Sequence, residues 1–355
     1  MENISRLNSD RSELLFEHVV GRPENLLLNN EQLHEIFGND RILIVGAAGS
    51  IGSSLARRLK SANVQNLFFL DNDESRLHEL SLELSGSSAA HSDNYIIADI
   101  RDQESIENAL EIAKPTVLIH AAALKHLSMI EKFPREAFLT NIIGTLNLVD
   151  QCINKGVKQF VNISTDKAAN PTSVLGKSKK LAELIVEESY AESNLAHCSV
   201  RFGNVFASRG SVIETFVHQI NRQIPVTITD PNVSRFFMSQ NEAANLVLAS
   251  ASLNEKGIFI LDMGDEVRIS DVVERIASFL NLPFSFSLIG LQKGEKLREE
   301  LYDGPVTKTK FTSISKSVHK IKTGLIDDLR SELPIDNNQS LLILNKLLSK
   351  YLSKN

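Results

Sequence analysis

The chain has 355 residues, a formal net charge of −6 and two cysteines, Cys152 and Cys198. This length suffices for one large domain with a smaller one. The net negative charge argues against nucleic-acid binding. The two cysteines do not have the spacing of a paired motif, which argues against a disulfide framework or a metal site. No apolar run approaches the about 20 residues that cross a bilayer, and the first residues lack the apolar core of a secretion signal. We therefore predict a cytoplasmic protein without a membrane segment, a nucleic-acid partner or a bound metal.

The first predicted elements form a loop suited to a pyrophosphate. Residues 1–38 are polar and helical in character, which predicts an N-terminal helical arm or interface element. An apolar strand at 41–45 follows, then three spaced glycines, then a helix-like stretch at 51–59. Glycine permits a tight turn with close approach to phosphates, and the helix N-terminus offers free N–H groups. The predicted pyrophosphate contacts are Gly46, Gly49, Ser50, Ile51 and Gly52.

The second apolar run, at 66–70, ends in Asp71, and a third run follows at 95–100. A carboxylate after the second strand meets the adenosine ribose hydroxyls of a bound dinucleotide. Because this carboxylate would repel a 2′-phosphate, the pattern favours NAD over NADP.

The same alternation continues along the chain. Apolar runs at 116–120, 159–164 and 198–202 have the character of strands buried on both faces, and helical patterns at 136–154 and 177–192 separate them. This predicts an α/β fold, a doubly wound Rossmann-type parallel sheet with a smaller C-terminal substrate-binding domain. The predicted division assigns 39–204, with a return at 236–264, to the Rossmann domain. The remaining residues, 205–235 and 265–355, form the substrate-binding domain and C-terminal helices, the tail at 340–352 being an amphipathic packing helix.

Polar residues follow the strand at 159–164, at the sheet edge where ligands of open α/β sheets bind. Here Asp166 and Lys167 are adjacent, and beside a nicotinamide an acid and an amine can serve as proton donor and proton acceptor. A depressed pKa of Lys167 would suit it to act as the base. The alternatives are a helix cap for Asp166 and a solvated loop charge for Lys167.

The core resembles the extended short-chain dehydrogenase/reductase superfamily, and more narrowly the CapD-like nucleotide-sugar 4,6-dehydratases of polysaccharide biosynthesis, which act on UDP-N-acetylglucosamine. The resemblance covers roughly residues 20–303. It is carried by VGRP (20–23), GAAGSIG (46–52), HAAALKH (120–126), TNIIGT (140–145), STDKAAN (164–170), RFGNV (201–205), SRFFM (234–238) and GEKL (294–297). Larger relatives carry membrane helices before this catalytic part, so the chain resembles a soluble short form.

The resemblance implies a mechanism. NAD would oxidise the sugar at C4, Lys167 would remove the C5 proton, Asp166 would protonate the departing C6 hydroxyl, and the hydride would return to C6. The cofactor is regenerated in each turnover, so we expect it to stay tightly bound.

One position departs from the superfamily pattern Tyr-x-x-x-Lys, because Leu175 stands where the tyrosine is expected and Lys179 keeps the lysine position. Residues four apart share a helix face, so Lys179 can still reach the ribose and nicotinamide. Membrane-anchored dehydratases of the family commonly have methionine at the tyrosine position. The base for the C4 hydroxyl is left open among Asp166, Lys167 and Lys177, with Thr165 in support.

The resemblance also implies further contact residues, with less specific motifs behind them. On the cofactor side these are Asp99 and Ile100 at adenine, Ala121 and Ala122 beside the dinucleotide, and Asn141 as the structural asparagine. On the substrate side they are Lys125, Asn204, Arg209, Arg235 and Glu295, with a helix cap as the alternative for Glu295.

The leading hypothesis is a UDP-sugar 4,6-dehydratase, with retention of configuration at C5 favoured over inversion. A UDP-N-acetylhexosamine 4-epimerase shares the fold and cofactor but generally keeps the tyrosine and lacks the Asp–Lys pair. A non-catalytic NAD-binding protein would tolerate Leu175 but has no need of that pair. Relatives pair through helices like 136–154 and 177–192, which implies a homodimer or a larger homo-oligomer.

Overall fold

The computed structural model describes residues 9–86, 92–191, 193, 195–318 and 322–352. Its strands are, in chain order, β1 Ile42–Val45, β2 Leu67–Asp71, β3 Tyr95–Ile97, β4 Val117–His120, β5 Gln159–Ile163, β6 Ala196–Arg201, β7 Asn204–Val205, β8 Val226–Ile228, β9 Ser234–Arg235, β10 Phe237–Met238, β11 Gly257–Leu261, β12 Val267–Arg268, β13 Phe286–Leu288, β14 Val306–Lys308 and β15 Ile314–Ser317. The α-helices are α1 Ser9–Val20, α2 Asn30–Phe37, α3 Ser50–Ser61, α4 Glu74–Ser85, α5 Gln103–Ala113, α6 Leu127–Ile130, α7 Pro134–Ala137, α8 Gly144–Asn154, α9 Val174–Tyr190, α10 Val212–Asn221, α11 Gln240–Ala251, α12 Ile269–Leu280, α13 Leu325–Ser331 and α14 Asn337–Tyr351.

The main sheet has nine strands among the described residues, in the order β14-β15-β11-β6-β5-β4-β1-β2-β3. The seven strands from β11 to β3 are parallel. Successive side chains of β1 point to opposite faces: Ile42 and Ile44 pack under α3 and α11, whereas Leu43 and Val45 pack under α5 and α8. Both faces are therefore covered by helices, and the predicted doubly wound Rossmann-type sheet is confirmed.

A second, smaller lobe covers the carboxyl ends of the strands. Its core joins α10, α12 and β8, and three short two-stranded sheets flank it. Helix α1 belongs to this core, because Leu15, Phe16 and Val19 are buried against α12. Helix α2 instead packs on α3 of the first lobe. The segment predicted as an arm at 1–38 is thus divided between the two lobes where it is described; residues 1–8 lie outside the described residues.

The C-terminal part also differs from the predicted division, which grouped 265–355 with the second lobe. Strands β15 and β14 extend the main sheet as antiparallel edge strands beside β11. Helices α13 and α14 pack on the first lobe, against α7 and α9. The reason is the apolar face of α14, where Ile343, Leu344 and Leu347 are buried. Of this region, β12, α12 and β13 contribute to the second lobe.

Helix α9, which lies in the second of the two segments predicted to form a dimer contact, is partly covered by the chain itself. Leu181 and Ile185 of α9 form one apolar cluster with Leu344 and Leu347 of α14 and Leu325 of α13. The predicted homo-oligomer stays a prediction. In the part of the chain that the structure describes, no helix combines the length and apolarity needed to span a membrane.

Candidate active site

A cavity of about 880 Å³ lies between the carboxyl ends of the parallel strands and the second lobe. Many of the predicted site residues line it, namely Gly49, Ser50, Ile51, Ala121, Lys125, Thr165, Lys167, Lys179, Asn204, Arg209, Arg235 and Glu295. A smaller cavity of about 560 Å³ at the opposite edge of the sheet contains none of them. The structure therefore brings these predicted residues together at one cavity, at the carboxyl edge of the sheet.

The glycine loop connects β1 to α3 and forms one wall of the cavity. Gly46 has φ +79°, and a Cβ there would lie 2.5 Å from the backbone nitrogen of Ala122. A Cβ on Gly52 would overlap the carbonyl oxygen of Gly46. Only glycine fits these two positions, and the first turn of α3 presents its free N–H groups at the same point. The loop therefore fits the pyrophosphate of a dinucleotide.

Asp71 closes the side of this loop at the end of β2. Its Oδ2 accepts a hydrogen bond from the backbone N–H of Ala48 at 2.9 Å, and its Oδ1 accepts one from Asp73 N–H at 3.1 Å. The carboxylate is thus fixed at the end of β2, and the preference for NAD over NADP stays a prediction.

Three of the predicted cofactor contacts that do not line the cavity are held by contacts within the protein. Asp99 pairs with Arg101 at 2.6 Å, and this hydrogen bond holds the pKa of Asp99 below its usual value. Ile100 is buried in the core under α5. Asn141 accepts from Leu124 N–H at 2.8 Å and donates to the Leu124 carbonyl at 3.0 Å. Asn141 lies in a π-helical turn, Phe138–Ile143, and its two hydrogen bonds hold the loop after β4, while its role toward the cofactor stays a prediction.

The predicted acid and amine form one hydrogen-bonded group. Asp166 Oδ1 accepts from Thr165 Oγ1 at 2.8 Å and from Lys167 Nζ at 3.0 Å. Lys167 Nζ also reaches Asn204 Oδ1 at 3.2 Å, and its side chain is only 16 % exposed. Thr165, not Asp166, caps the short 3₁₀ turn that follows. Neither alternative for this pair therefore applies.

The two residues differ in access to the cavity. Lys167 lies on the cavity wall, whereas the Asp166 side chain is completely buried behind it. The expectation that both groups face the sugar is corrected to this extent: Lys167 faces the cavity, and Asp166 contacts Lys167 and Thr165.

Helix α9 places Leu175 and Lys179 on the cavity wall, one turn apart as the spacing predicted. Burial lowers the pKa of Lys179 to about 8. Lys177 points elsewhere, because its Nζ donates to Asn345 Oδ1 of α14 at 2.8 Å. Lys177 is therefore removed from the candidates for the C4 base. The sequence could not show this, since the partner lies 168 residues away.

Lys179→Met is expected to stabilise the cofactor-free protein at pH 7 while weakening NAD binding. The folded-state pKa is about 8 and the usual value is 10.5, so the unfolded state binds more protons between these values and stability rises with pH there. Below pH 8 the buried charge costs about 3 kcal/mol, a cost that methionine avoids. Urea unfolding at pH 7 and pH 10.5 measures the free energy of unfolding of both proteins. The gain in stability of Lys179→Met over wild type should be smaller at pH 10.5. Lys177→Met is the matched control without this gain; a Lys179→Met protein less stable than wild type at pH 7 contradicts the prediction.

The predicted substrate residues include two groups on the cavity wall, one formed by Arg235 and Glu295 and the other by Lys125 and Arg209. Arg235 is buried, and its guanidinium pairs with Glu295 Oε1 at 3.2 Å, while Thr229 Oγ1 donates to the same oxygen at 3.0 Å. No α-helix follows Glu295 in the described residues up to 318, so its alternative as a helix cap is wrong. Burial and the nearby charge of Arg209 lower the pKa of Lys125, whose Nζ lies 3.5 Å from Ser208 Oγ.

Arg209 lies against the glycine loop. Its backbone N–H donates to Ser50 Oγ at 3.1 Å and its guanidinium donates to the carbonyl of Ala48. It therefore stands beside the predicted cofactor pyrophosphate, and its predicted contact with the substrate diphosphate stays a prediction.

Glu299 is a cavity residue that the sequence analysis missed. Its Oε1 lies 3.7 Å from Lys167 Nζ, and its side chain is 3 % exposed. Burial raises the pKa of Glu299, the nearby charge of Lys167 opposes this rise, and the Asp166 carboxylate adds to it. The last motif recognised in the sequence, GEKL at 294–297, ended at Leu297. The run of charged residues after it has the sequence character of a solvated loop, so no local signal identifies Glu299.

A buried ionic network fixes the segment that carries Glu299. Arg201 of β6 is fully buried and pairs with Glu183 of α9 at 2.6 Å and with Asp303 at 2.8 Å. Lys180 adds a 2.6 Å contact to Asp303, and Ser164 Oγ donates to Glu183 at 2.6 Å. The opposing charges satisfy each other, which a buried ion requires. The network therefore joins the end of β5, helix α9 and the segment after Glu299.

Comparison with known proteins identifies relatives of several kinds. The chain is 38 % identical over 291 residues to the capsular polysaccharide biosynthesis protein CapD of Staphylococcus aureus, covering 80 % of this chain and 48 % of that protein. It is 31 % identical over 273 residues to the UDP-glucose 4-epimerase of Rickettsia prowazekii, covering 75 % and 78 %. Among solved structures, Pen from Bacillus thuringiensis matches with a TM-score of 0.68 and 34 % identity, covering 75 % of this chain and 84 % of that one. The chain spans about half the length of CapD.

The doubly wound sheet, the glycine loop after β1 and the buried lysine on α9 define the short-chain dehydrogenase/reductase class. Within that class the family model described as polysaccharide biosynthesis protein matches residues 42–319. The chain belongs to this family, and the resemblance inferred from its motifs is confirmed.

Proposed function

We propose that this protein is a nucleotide-sugar 4,6-dehydratase with tightly bound NAD. Its substrate is a UDP-N-acetylhexosamine, in the first instance UDP-N-acetylglucosamine, and its product is the UDP-linked 4-keto-6-deoxy sugar for cell-surface glycan biosynthesis in the cytoplasm. The observation that carries the proposal is Lys167. Its amine lies on the wall of the large cavity, paired with Asp166 at 3.0 Å, on the same sheet edge as the glycine loop and Lys179.

The glycine loop, Asp71 and Lys179 are the residues that would hold the cofactor. When bound, NAD supplies the redox chemistry, taking a hydride from C4 of the sugar and returning it to C6. The Asp71 carboxylate favours NAD over NADP because it would repel a 2′-phosphate. Lys179 lines the cavity one helical turn from Leu175. Its amine would hold the ribose and nicotinamide region of the cofactor.

Lys167 is the base that removes the C5 proton from the 4-keto sugar. Asp166, which is hydrogen-bonded to Lys167 and Thr165, is the acid that gives the proton to the departing C6 hydroxyl, and Thr165 and Asn204 fix the pair through hydrogen bonds. Of the candidates at the C4 hydroxyl, Thr165 and Lys167 line the cavity, and a C4 hydroxyl proton taken by Lys167 must leave it before the C5 proton is removed. Arg235, Asn204 and Lys125 would bind the nucleotide diphosphate and sugar, because Arg and Lys are suited to phosphate oxygens.

Incubation of the purified protein with UDP-N-acetylglucosamine, without added NAD, tests the proposal. The expected product is lighter by one water, and proton NMR in D₂O should show a 4-keto-6-deoxy sugar that retains its C5 configuration. Recovery of unchanged substrate would refute dehydration.

A 4-epimerase of UDP-N-acetylhexosamines is the second candidate, because the chain is 31 % identical to a UDP-glucose 4-epimerase. Formation of the galacto epimer at unchanged mass in the same incubation would establish it. The Asp166–Lys167 pair and Leu175 argue against this candidate, since epimerisation requires no loss of water and generally uses the tyrosine.

A further inference from the structure

Gly203 lies next to both the cavity and the buried carboxyl group of Asp166. It stands between β6 and β7 and lines the cavity, and a Cβ on it would lie 2.9 Å from Asp166 Oδ2. The side chain of Asp166 is fully buried and is not itself part of the cavity wall. The acid of the Asp166–Lys167 pair therefore meets the wall of the cavity at a residue without a side chain.

Space, and not backbone freedom, explains a glycine at this position. Gly203 does not have a left-handed backbone, so its conformation does not demand glycine. A Cβ on it would also lie 3.2 Å from Met263 Sδ and from Phe236 Cβ. Real Cβ atoms essentially never come within 3.0 Å of another atom, so the contact with Asp166 could not be kept. Because Phe236 Cβ is fixed by its own backbone and the carboxyl group ends a side chain, an added methyl group would displace the acid.

The oxygen beside Gly203 is the one free to deliver a proton. Asp166 Oδ1 accepts hydrogen bonds from Thr165 Oγ1 at 2.8 Å and from Lys167 Nζ at 3.0 Å. Oδ2 is buried and has no hydrogen-bond partner among the residues that the structure describes. A buried polar atom without a partner is costly, which indicates a functional reason for it. Oδ2 is therefore the oxygen that carries the acid proton toward a substrate.

The segment around Gly203 is joined to both members of the pair. The backbone N–H of Asp166 donates to the carbonyl of Phe202 at 3.0 Å, and Lys167 Nζ donates to Asn204 Oδ1 at 3.2 Å. This segment is thus held in register with the pair, which defines the distance between Oδ2 and Gly203. Fixed geometry of this kind is what proton delivery to one atom requires.

We propose that Gly203 is a positioning residue for the acid: its missing side chain lets Asp166 Oδ2 lie against the cavity wall and give its proton to the departing C6 oxygen of the sugar. This inference rests on the proposed dehydration, in which Asp166 is the acid. An alanine at residue 203 would turn Oδ2 away while leaving Lys167 bound to Asn204.

The elimination step balances with the pair. It begins with the Asp166 carboxyl group protonated and the Lys167 amine neutral. The C5–H bond breaks, its proton goes to the amine, and its electron pair forms the C5=C6 double bond. The C6–O bond breaks, and its electron pair stays on the oxygen, which takes the Asp166 proton and leaves as water. The step ends with an ammonium and a carboxylate 3.0 Å apart, and these opposite charges stabilise each other.

The test compares two leaving groups in the Gly203→Ala variant. Turnover of UDP-N-acetylglucosamine should fall by about 10–10²-fold, the cost of misplacing a reacting group by up to about 1 Å. Turnover of the 6-deoxy-6-fluoro analogue should fall by less than about threefold, because fluoride departs as an anion and needs no proton from the acid. Equal losses on both substrates, or no loss on either, would overturn the proposal, since a general packing defect does not distinguish the leaving groups.

Gly304→Ala is the matched control. Gly304 is exposed, its backbone is not left-handed, and a Cβ there would have no contact closer than 3.8 Å. It also stands outside the cavity wall. This variant should turn over both substrates like wild type. The same selective loss in Gly304→Ala would show that the effect does not come from the contact with Asp166, and would overturn the proposal.

A double variant tests whether Gly203 acts through Asp166. Asp166→Asn already lacks the acid, so adding Gly203→Ala should cost little further turnover, because the effects of residues that act as a unit are not additive. A full further loss in the double variant would give Gly203 a role independent of the acid and contradict the proposal.

A second route is available if Gly203→Ala does not fold. Combining it with Met263→Ala gives the added methyl group room on the sulfur side but keeps its contact with Asp166. Relative to Met263→Ala alone, this combination should show the same loss on UDP-N-acetylglucosamine and the same near-normal turnover of the fluoro analogue. A loss shared by both substrates, or absent from both, contradicts the role of Gly203.

The wild-type reaction separates this inference from the function on which it rests. If wild type dehydrates neither substrate, the dehydratase and the role of Gly203 are overturned together. If wild type dehydrates UDP-N-acetylglucosamine and the Gly203 variants show no selective defect, the role of Gly203 alone is overturned.

Discussion

Lys167→Met should reduce turnover of UDP-N-acetylglucosamine by about 10²–10⁴-fold, the range expected for the loss of a positioned base. Methionine preserves the length of the side chain but cannot accept a proton. The glycine loop and Lys179 are unchanged by this substitution, so bound NAD should remain at the wild-type level. Turnover is measured by mass spectrometry of the product, and NAD by the content released on denaturation.

Lys293→Met is the control, because Lys293 is 78 % exposed and stands outside the cavity wall. It should change turnover by less than about twofold, as for most exposed positions. Near-normal turnover in Lys167→Met would remove Lys167 from the mechanism. Loss of NAD from that variant would instead assign Lys167 to cofactor binding.

Arg201→Met should destabilise the folded protein by about 3–5 kcal/mol, the usual cost of leaving a buried charge without its partner. The change leaves Glu183 without its bidentate partner and Asp303 with Lys180 alone. The fully buried Glu183 carboxylate bears most of this cost, because Arg201 is the main influence that lowers its pKa against the effect of burial. Urea denaturation followed by circular dichroism measures the change.

Arg57→Met provides the surface comparison. Arg57 also pairs with a glutamate, Glu83, but both side chains are nearly half exposed. Exposed pairs contribute about 0–1 kcal/mol, so this variant should remain close to wild type. If Arg57→Met and Arg201→Met lost similar amounts of stability, Arg201 would not be compensating the charge of a buried carboxylate. The double variant Arg201→Met with Glu183→Gln should recover part of the stability, because it removes the orphaned carboxylate.

The parts of the fold that short-range patterns encode could be predicted from the sequence. Each parallel strand is a brief apolar run between polar helices, so β1, β2, β4 and β5 were located within a residue or two of their observed bounds. The glycine loop and Asp71 were identified for the same reason, since turn, strand end and helix start adjoin in sequence. The Asp166–Lys167 pair was recognised because its partners are neighbours.

Contacts between distant segments could not be predicted in this way. The antiparallel strands β14 and β15 are short and polar, and their place beside β11 depends on pairing across more than 40 residues. The orientation of Lys177 is set by Asn345, and the burial of Glu299 by Asp303 and Arg201. A charged side chain in a loop has the same sequence signature whether it faces solvent or an active site. Only the tertiary packing distinguishes the two.

The C-terminal helices have a consequence for synthesis of the chain. Helix α9 carries Lys179, and α13 and α14 cover its apolar side. A nascent chain folds in order of emergence, so α9 leaves the ribosome about 150 residues before the last helix that buries it. Until then, the apolar side chains of Leu181 and Ile185 are exposed to chaperones and to other incompletely synthesised chains. Premature termination before residue 325 should therefore yield a fragment with an intact glycine loop and a strong tendency to aggregate.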